Sequence, residues 1–293
     1  MSVNKLINLA VTITLIEMMV TIGLGVTFGE VWRVARNGRL VAKATIANYL
    51  LAPAAAVAVM FLFHVEPLVA AGLLIAAVCP GAPYGPPFTA MAKGDEPVAV
   101  GLMVILAGSS AIVAPLLLFI LLPVVAGSGD LKVDAAKIVT TLLLSQLAPL
   151  CVGLLLRQRR PALAERLKKP AARLGAVLNL IVFAVILVVQ FDLLRHIRLT
   201  GFAGMLLLVA AFTMIGWLLG GPDASNRKAM ALSTGIRNVG VGLVIATGSF
   251  PGTSAVTVAL AFAIFQTIVL ALAALAWGRL SNDGAGVVDS AAP

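Results

Sequence analysis

Cys79-Pro80-Gly81-Ala82-Pro83-Tyr84-Gly85-Pro86-Pro87 interrupts an otherwise apolar stretch running from about Leu68 to Ala92. Its prolines remove backbone donors and its glycines favour turns, so no unbroken helix passes through it. A second interruption, Ser233-Thr234-Gly235-Ile236-Arg237-Asn238, divides the stretch from about Lys228 to Phe250. Both breaks fall where a membrane-spanning helix would be continuous. Unwound backbone at membrane depth leaves peptide groups that lipid cannot satisfy, so it survives only against protein or a wet cavity.

Composition sets the class. The chain is 61% hydrophobic and only 11% charged, against roughly 25% charged residues in an ordinary soluble domain. It is read as an all-α integral membrane protein. A bilayer core about 30 Å thick takes about 20 apolar residues per helix, and nine transmembrane helices follow, at about 6–30, 41–63, 68–92, 97–123, 138–156, 174–191, 201–220, 228–250 and 254–278. The third and eighth are the broken ones. Cys79 and Cys151 both lie in apolar segments, with no Cys-x-x-Cys or Cys/His spacing, and are read as small hydrophobes. The N-terminus has no clear small-residue cleavage site and is not read as a signal peptide.

The net charge of +9 raises nucleic acid as a partner, but topology explains the basic residues better. Alternate loops carry Arg33, Arg36, Arg39 and Lys43, then Lys93, then seven between Arg157 and Arg173, then Arg227 and Lys228, then Arg279. The opposite loops have Lys5, Lys132, Lys137, Arg195 and Arg198. Lys and Arg favour the cytoplasmic side, so the N-terminus is expected outside and the C-terminus inside, in a bacterial inner membrane. Membrane lipid is then a partner and nucleic acid is not. The run from Arg157 to Arg173 is read as lying on anionic lipid, and Trp32, Trp217 and Trp277 as interfacial anchors.

The broken spans are five apart and so cross in opposite directions, as in an inverted repeat, and paired breaks of this kind point to the binding site of a secondary transporter. The transmembrane domain covers 1–279, with repeat one at about 6–123 (four spans) and repeat two at about 138–279 (five spans). Gly127-Ser128-Gly129-Asp130 is the hinge between them, and 280–293 is expected to be a disordered cytoplasmic tail.

The same breaks carry a resemblance. Cys79-Pro80-Gly81 followed by Ala92-Lys93-Gly94-Asp95 resembles the first crossover of the bile acid:sodium symporter family, and Gly235, Asn238 and Gly240 match its second. Asn48-Tyr49-Leu50-Leu51-Ala52-Pro53 is similar to the helix that precedes the first crossover. The resemblance implies a core domain holding two crossing discontinuous helices, a panel domain, and a substrate cavity between them. It also implies alternating-access transport of a small organic anion, with sodium as the coupling ion. Bile acids and pantoate-like acids are among the family's cargoes.

The departures bear on coupling. The family's crossover Glu position is Ser233 here, its Gln position is Arg237, and its Ser-Asn pair is Gly85-Pro86. Hard cations need close oxygens, and a residual sodium site would have to use Asn48, Ser109 and Ser233. Sodium-independent transport is therefore the first reading, with a sodium-coupled symporter, a channel or a non-transporting binding protein as alternatives. Apart from sodium, no cofactor is expected. No span carries a cluster of catalytic side chains, so the chain is not read as an enzyme.

Arg237 is the leading site residue, because a charge at mid-membrane costs about 2.5 kcal/mol or more and needs a function and a partner. It either pairs with Glu17 or contacts substrate, standing in for the missing cation. Glu17 could alternatively load a proton. Ser233, Thr234, Asn238, Asn48, Tyr84, Thr89, Ser109 and Ser110 complete the candidate set, with Pro80, Gly81, Gly85, Pro86, Gly235 and Gly240 shaping the crossover backbone. Gln146, Asn179 and Gln266 either face the cavity or bond between helices. Neither substrate identity nor oligomeric state follows from the residues.

Overall fold

The computed structural model describes residues 3–127, 131–195 and 199–289. Ser128 to Asp130 of the expected hinge, together with His196 and Arg198, lie outside the described residues. Among those described, every regular element is helical: α1 Val3–Gly25, α2 Phe28–Ala35, α3 Gly38–Leu62, α4 Pro67–Ala77, α5 Gly85–Met91, α6 Glu96–Ala126, α7 Ala135–Arg159, α8 Pro161–Val189, α9 Leu199–Leu219, α10 Ala224–Gly235, α11 Val239–Ser249 and α12 Ser254–Asp289, plus a single turn at Phe191–Leu194. Eight stretches, with α10 and α11 taken together, are long and apolar enough to cross a membrane. The third predicted crossing is divided into α4 and α5, neither long enough alone.

Three boundaries differ from the sequence expectation. The first span ends at Gly25 rather than residue 30, because Thr27 starts a new helix. Its hydroxyl accepts from the Glu30 N–H at 3.3 Å while Glu30 Oε2 accepts from the Thr27 N–H at 2.7 Å, a capping box that fixes the turn. The sixth span begins at Pro161 rather than about 174. Proline suits the first helical turn, where its missing donor costs nothing, so most of the basic run is helix rather than loop. Finally, α12 runs on past residue 278 to Asp289, in a segment without proline, and the last four residues of the tail expected over 280–293 lie outside the described residues.

Helices α1, α7 and α8 pack on one another as one layer, and the broken helices pack with α3, α6, α9 and α12 as another. Gly23 of α1 meets Gly153 of α7 backbone to backbone, since a Cβ on Gly23 would lie 2.7 Å from Leu154 N and 2.8 Å from Gly153 C. Small residues at such crossings let transmembrane helices approach closely. Within the second layer, α10 packs on α5 and on α9, while α4 packs on α12 and α11. This arrangement sets the two breaks against each other and matches the core and panel implied by the resemblance.

Two helices widen into π turns, at Ala47–Leu51 in α3 and Leu143–Leu147 in α7. Each is followed by Ala-Pro, at 52–53 and 148–149. A proline within a helix lacks the N–H and crowds the carbonyl four residues back. The wider turn answers this: the Ala52 N–H donates to Ala47 O and the Ala148 N–H to Leu143 O, five residues back. Each π turn also holds one wholly buried amide side chain, Asn48 and Gln146.

Candidate functional site

The two breaks are tied together by Asn238. Its backbone N–H donates to Cys79 O at 2.7 Å, its side-chain Nδ2 donates to Gly81 O at 3.2 Å, and its Oδ1 accepts from the Val241 N–H at 3.3 Å, capping α11. One residue thus satisfies two carbonyls of the first break and the helix start of the second. Gly81 has φ +80°, and a Cβ there would collide with the backbone of Ala107 in α6. Only glycine fits.

Arg237 is enclosed beside this knot, 1% exposed. Gln266 of α12 clasps its main chain, accepting from the Arg237 N–H and donating to Arg237 O, both at 3.0 Å. The guanidinium donates from Nη1 to Asn48 Oδ1 at 3.2 Å and from Nη2 to Thr234 O at 2.5 Å. Its central carbon lies 4.5 Å from the ring centroid of Phe212, a contact worth up to about 2 kcal/mol when desolvated. Nε has no hydrogen-bond partner. Asn48 completes the cluster by donating to Ala44 O at 2.9 Å and to Thr234 Oγ1 at 3.3 Å.

The Glu17–Arg237 pair proposed from sequence is not formed. Glu17 is on α1, where its Oε1 accepts from Thr21 Oγ1 at 2.6 Å and its carboxylate packs on Gly175 of α8, with Oε2 unpartnered. Depth in the membrane brought the two together on paper. They belong to different layers, and neutral oxygens and an aromatic face surround Arg237 instead.

The remaining candidates divide. Thr234 and Asn48 join the arginine cluster, and Ser233 Oγ is buried beside it in sequence with no partner. Ser109 Oγ lies 2.7 Å from Tyr49 OH, and that hydroxyl also donates to Leu106 O at 2.9 Å. Ser110 accepts from Gln146 Nε2 at 2.9 Å. Thr89 Oγ1 turns back on Gly85 O at 2.9 Å within α5, where Pro86 occupies the first turn. Tyr84, half-buried, precedes the first residue of α5 without capping it through its side chain, its ring 6.5 Å from that of Phe88. Gly240 faces Leu15 of α1, and Gly235 closes α10.

The sequence reading did not single out Phe212, and it left Gln146 and Gln266 open. Gln146 reaches from α7 to the Ala107 carbonyl and Ser110 of α6, so it bridges the two layers, and its Oε1 is buried without a partner. The Ala-Pro that follows Asn48 and Gln146 at the same spacing is the available signal for the two amide-bearing π turns.

A cleft of about 720 Å³ opens between α1 and the start of α7 on one side and the end of α11 on the other, with Lys5, Lys132, Lys137, Asn8 and Thr247 in its wall. Asn8 Nδ2 donates to Thr247 Oγ1 at 2.9 Å across the layers. Val244, also in the wall, is six residues along α11 from Asn238, about 9 Å at the helical rise.

As to sodium, two oxygens of the cluster, Asn48 Oδ1 and Thr234 O, already face the guanidinium. Among the described residues no group of three or more His, Cys, Asp or Glu could hold a metal ion.

Residues 12–217 match the sequence profile described as the Sodium Bile acid symporter family. The "Uncharacterized sodium-dependent transporter YocS" of Bacillus subtilis (strain 168) is 27% identical over 281 residues, 92% of this chain and 83% of that protein. The "Probable sodium/metabolite cotransporter BASS2, chloroplastic" of Oryza sativa subsp. japonica is 26% identical over 247 residues, covering 82% of this chain and 57% of that one. The "Hepatic sodium/bile acid cotransporter" of Rattus norvegicus is 23% identical over 261 residues, covering 85% and 70%. With a profile that spans most of the chain and helices long enough to cross a membrane, this protein belongs to the sodium bile acid symporter family, a family of integral membrane transporters and not of enzymes.

Proposed function

We propose that the protein carries a small organic anion across the membrane by alternating access, with Arg237 supplying the charge that a bound cation supplies elsewhere, so that transport does not need sodium. The observation that carries this reading is the guanidinium held by Asn48 Oδ1 and Thr234 O with no carboxylate beside it. A sodium ion in that cluster would sit within a few ångströms of a fixed positive charge, a repulsion of several kcal/mol at an effective dielectric of about 20. The unbalanced charge and the N-terminus of α11 together make the crossover electropositive, which favours an anion. The cleft between the layers stops at Val244, about 9 Å of helix from Asn238, and the core would move against the panel to join cleft and crossover. The loop charges support a plasma-membrane protein with its N-terminus outside.

Sodium coupling is the second reading, favoured by the names of the relatives and by the free Ser233 hydroxyl. Uptake into proteoliposomes separates the two. Labelled taurocholate, pantoate and short carboxylates should enter at equal rates in sodium and potassium buffers for at least one compound. Uptake that requires an inward sodium gradient selects the coupled reading. Binding of these acids without uptake would overturn transport altogether.

A further inference from the structure

We infer that the mouth of the cleft is a recognition site for organic anions carrying two acidic groups, with Lys5, Lys132 and Lys137 as the charges that select them. The inference rests on the anion-transport reading and adds the class of anion. The three lysines come from separate places, Lys5 from the first turn of α1, Lys132 from the segment before α7, and Lys137 from the first turn of α7, yet all line one cavity. Among the described residues none of the three forms an ion pair. Among the described residues the only acid in the wall is Asp134, and its Oδ1 is engaged by the Lys137 N–H at 3.0 Å as the cap of α7.

The formal charge of the described wall residues is therefore +2. A dianion balances it, whereas a monoanion leaves one charge uncompensated in a recess whose low-dielectric sides concentrate the field. The same wall holds hydrogen-bonding groups at Asn8, Thr141 and Thr247, together with apolar surface from Ile138 and Leu142. Basic and hydrogen-bonding groups beside apolar surface suit a short carbon chain with an acidic group at each end. At about 720 Å³ the cavity falls in the range of small-molecule sites, about 300–1,000 Å³. The lysines lie at the layer boundary rather than at Arg237, so they would act in capture and selection before the substrate reaches the crossover.

The test is calorimetric titration of the purified full-length protein with α,ω-dicarboxylates from malonate to adipate, each against its monomethyl ester, which keeps the length and removes one charge. At least one dicarboxylate should bind tenfold or more tightly than its ester. Lys132→Gln with Lys137→Gln should remove that preference, with an unchanged unfolding midpoint in the absence of ligand. Since both side chains are exposed, the variant is expected to fold. Equal affinity for acid and ester, or a preference that survives in the variant, overturns the inference and leaves anion transport standing. If neither these compounds nor taurocholate and pantoate bind, both fall together.

Discussion

Nη1 of Arg237 donates to Oδ1 of Asn48 across 3.2 Å, joining the second break to a π turn in α3 that is 189 residues away in sequence. The π turn follows from Pro53, and it turns a buried amide toward the crossover. A buried charge without an opposite charge persists only where oriented dipoles replace water, and here Asn48, the Thr234 carbonyl and the Phe212 face do so. Asn48→Leu should therefore lower the unfolding midpoint in detergent by an amount equivalent to about 1.5–3 kcal/mol, the worth of a hydrogen bond to a charged group. An unchanged midpoint would mean that the guanidinium finds another partner.

Asn238 allows its two side-chain roles to be separated. Asn238→Ser keeps a neutral oxygen able to cap α11 but loses the amide donor to Gly81 O, while Asn238→Ala loses both. The alanine variant should be the less stable of the two, since the missing N-cap alone is worth about 1 kcal/mol. Thermal unfolding followed by circular dichroism gives the order. Equal loss would show that the cap contributes nothing.

Gln146 is a hydrogen-bonded bridge between the layers that would move against each other, so its removal should change how the cleft opens. In Gln146→Leu a cysteine placed at Thr141, on the cleft wall, is expected to react with a water-soluble maleimide several-fold faster than in the parent. An unchanged rate would show that the bridge does not hold the layers together.

The capping box at the start of α2 gives a pH signature outside the membrane. Partial burial by itself would push the Glu30 carboxyl up, but hydrogen bonds from the Thr27 N–H and hydroxyl, with the charges of Arg157 and Arg33, hold it below the usual carboxylate range. A lowered folded-state value means that the unfolded chain binds the proton more readily. The stabilisation is present above the ordinary carboxylate value and is lost as pH falls through the lowered one. Glu30→Gln should flatten the unfolding midpoint across that acidic window while leaving the neutral-pH fold intact.

Much of this was legible because proline and glycine cannot be hidden in an apolar run. Pro80, Gly81, Gly85 and Pro86 announced the first break, and Asn238 with Gly235 the second. Charge and hydropathy fix depth in the membrane but not the face a residue presents, which is why Glu17 was matched to Arg237 although it faces α8. The same blindness left Gln146 and Gln266 open, since an amide in a span looks alike whether it lines a cavity or clasps a backbone. Phe212 gave no signal, being one apolar residue among many in α9. The start of α8 at Pro161 was missed because its first turns are basic, and a hydropathy reading ends a span where the charges begin.

In the proposed cycle Arg237 replaces a coupling cation. The most direct test is thermal stabilisation of the detergent-purified protein by a panel of carboxylates and sulfonates, each in sodium and in potassium, repeated on Arg237→Gln. At least one anion should stabilise the protein equally in the two salts, and Arg237→Gln should lose that stabilisation. Stabilisation that requires sodium, or that persists undiminished in Arg237→Gln, would contradict it.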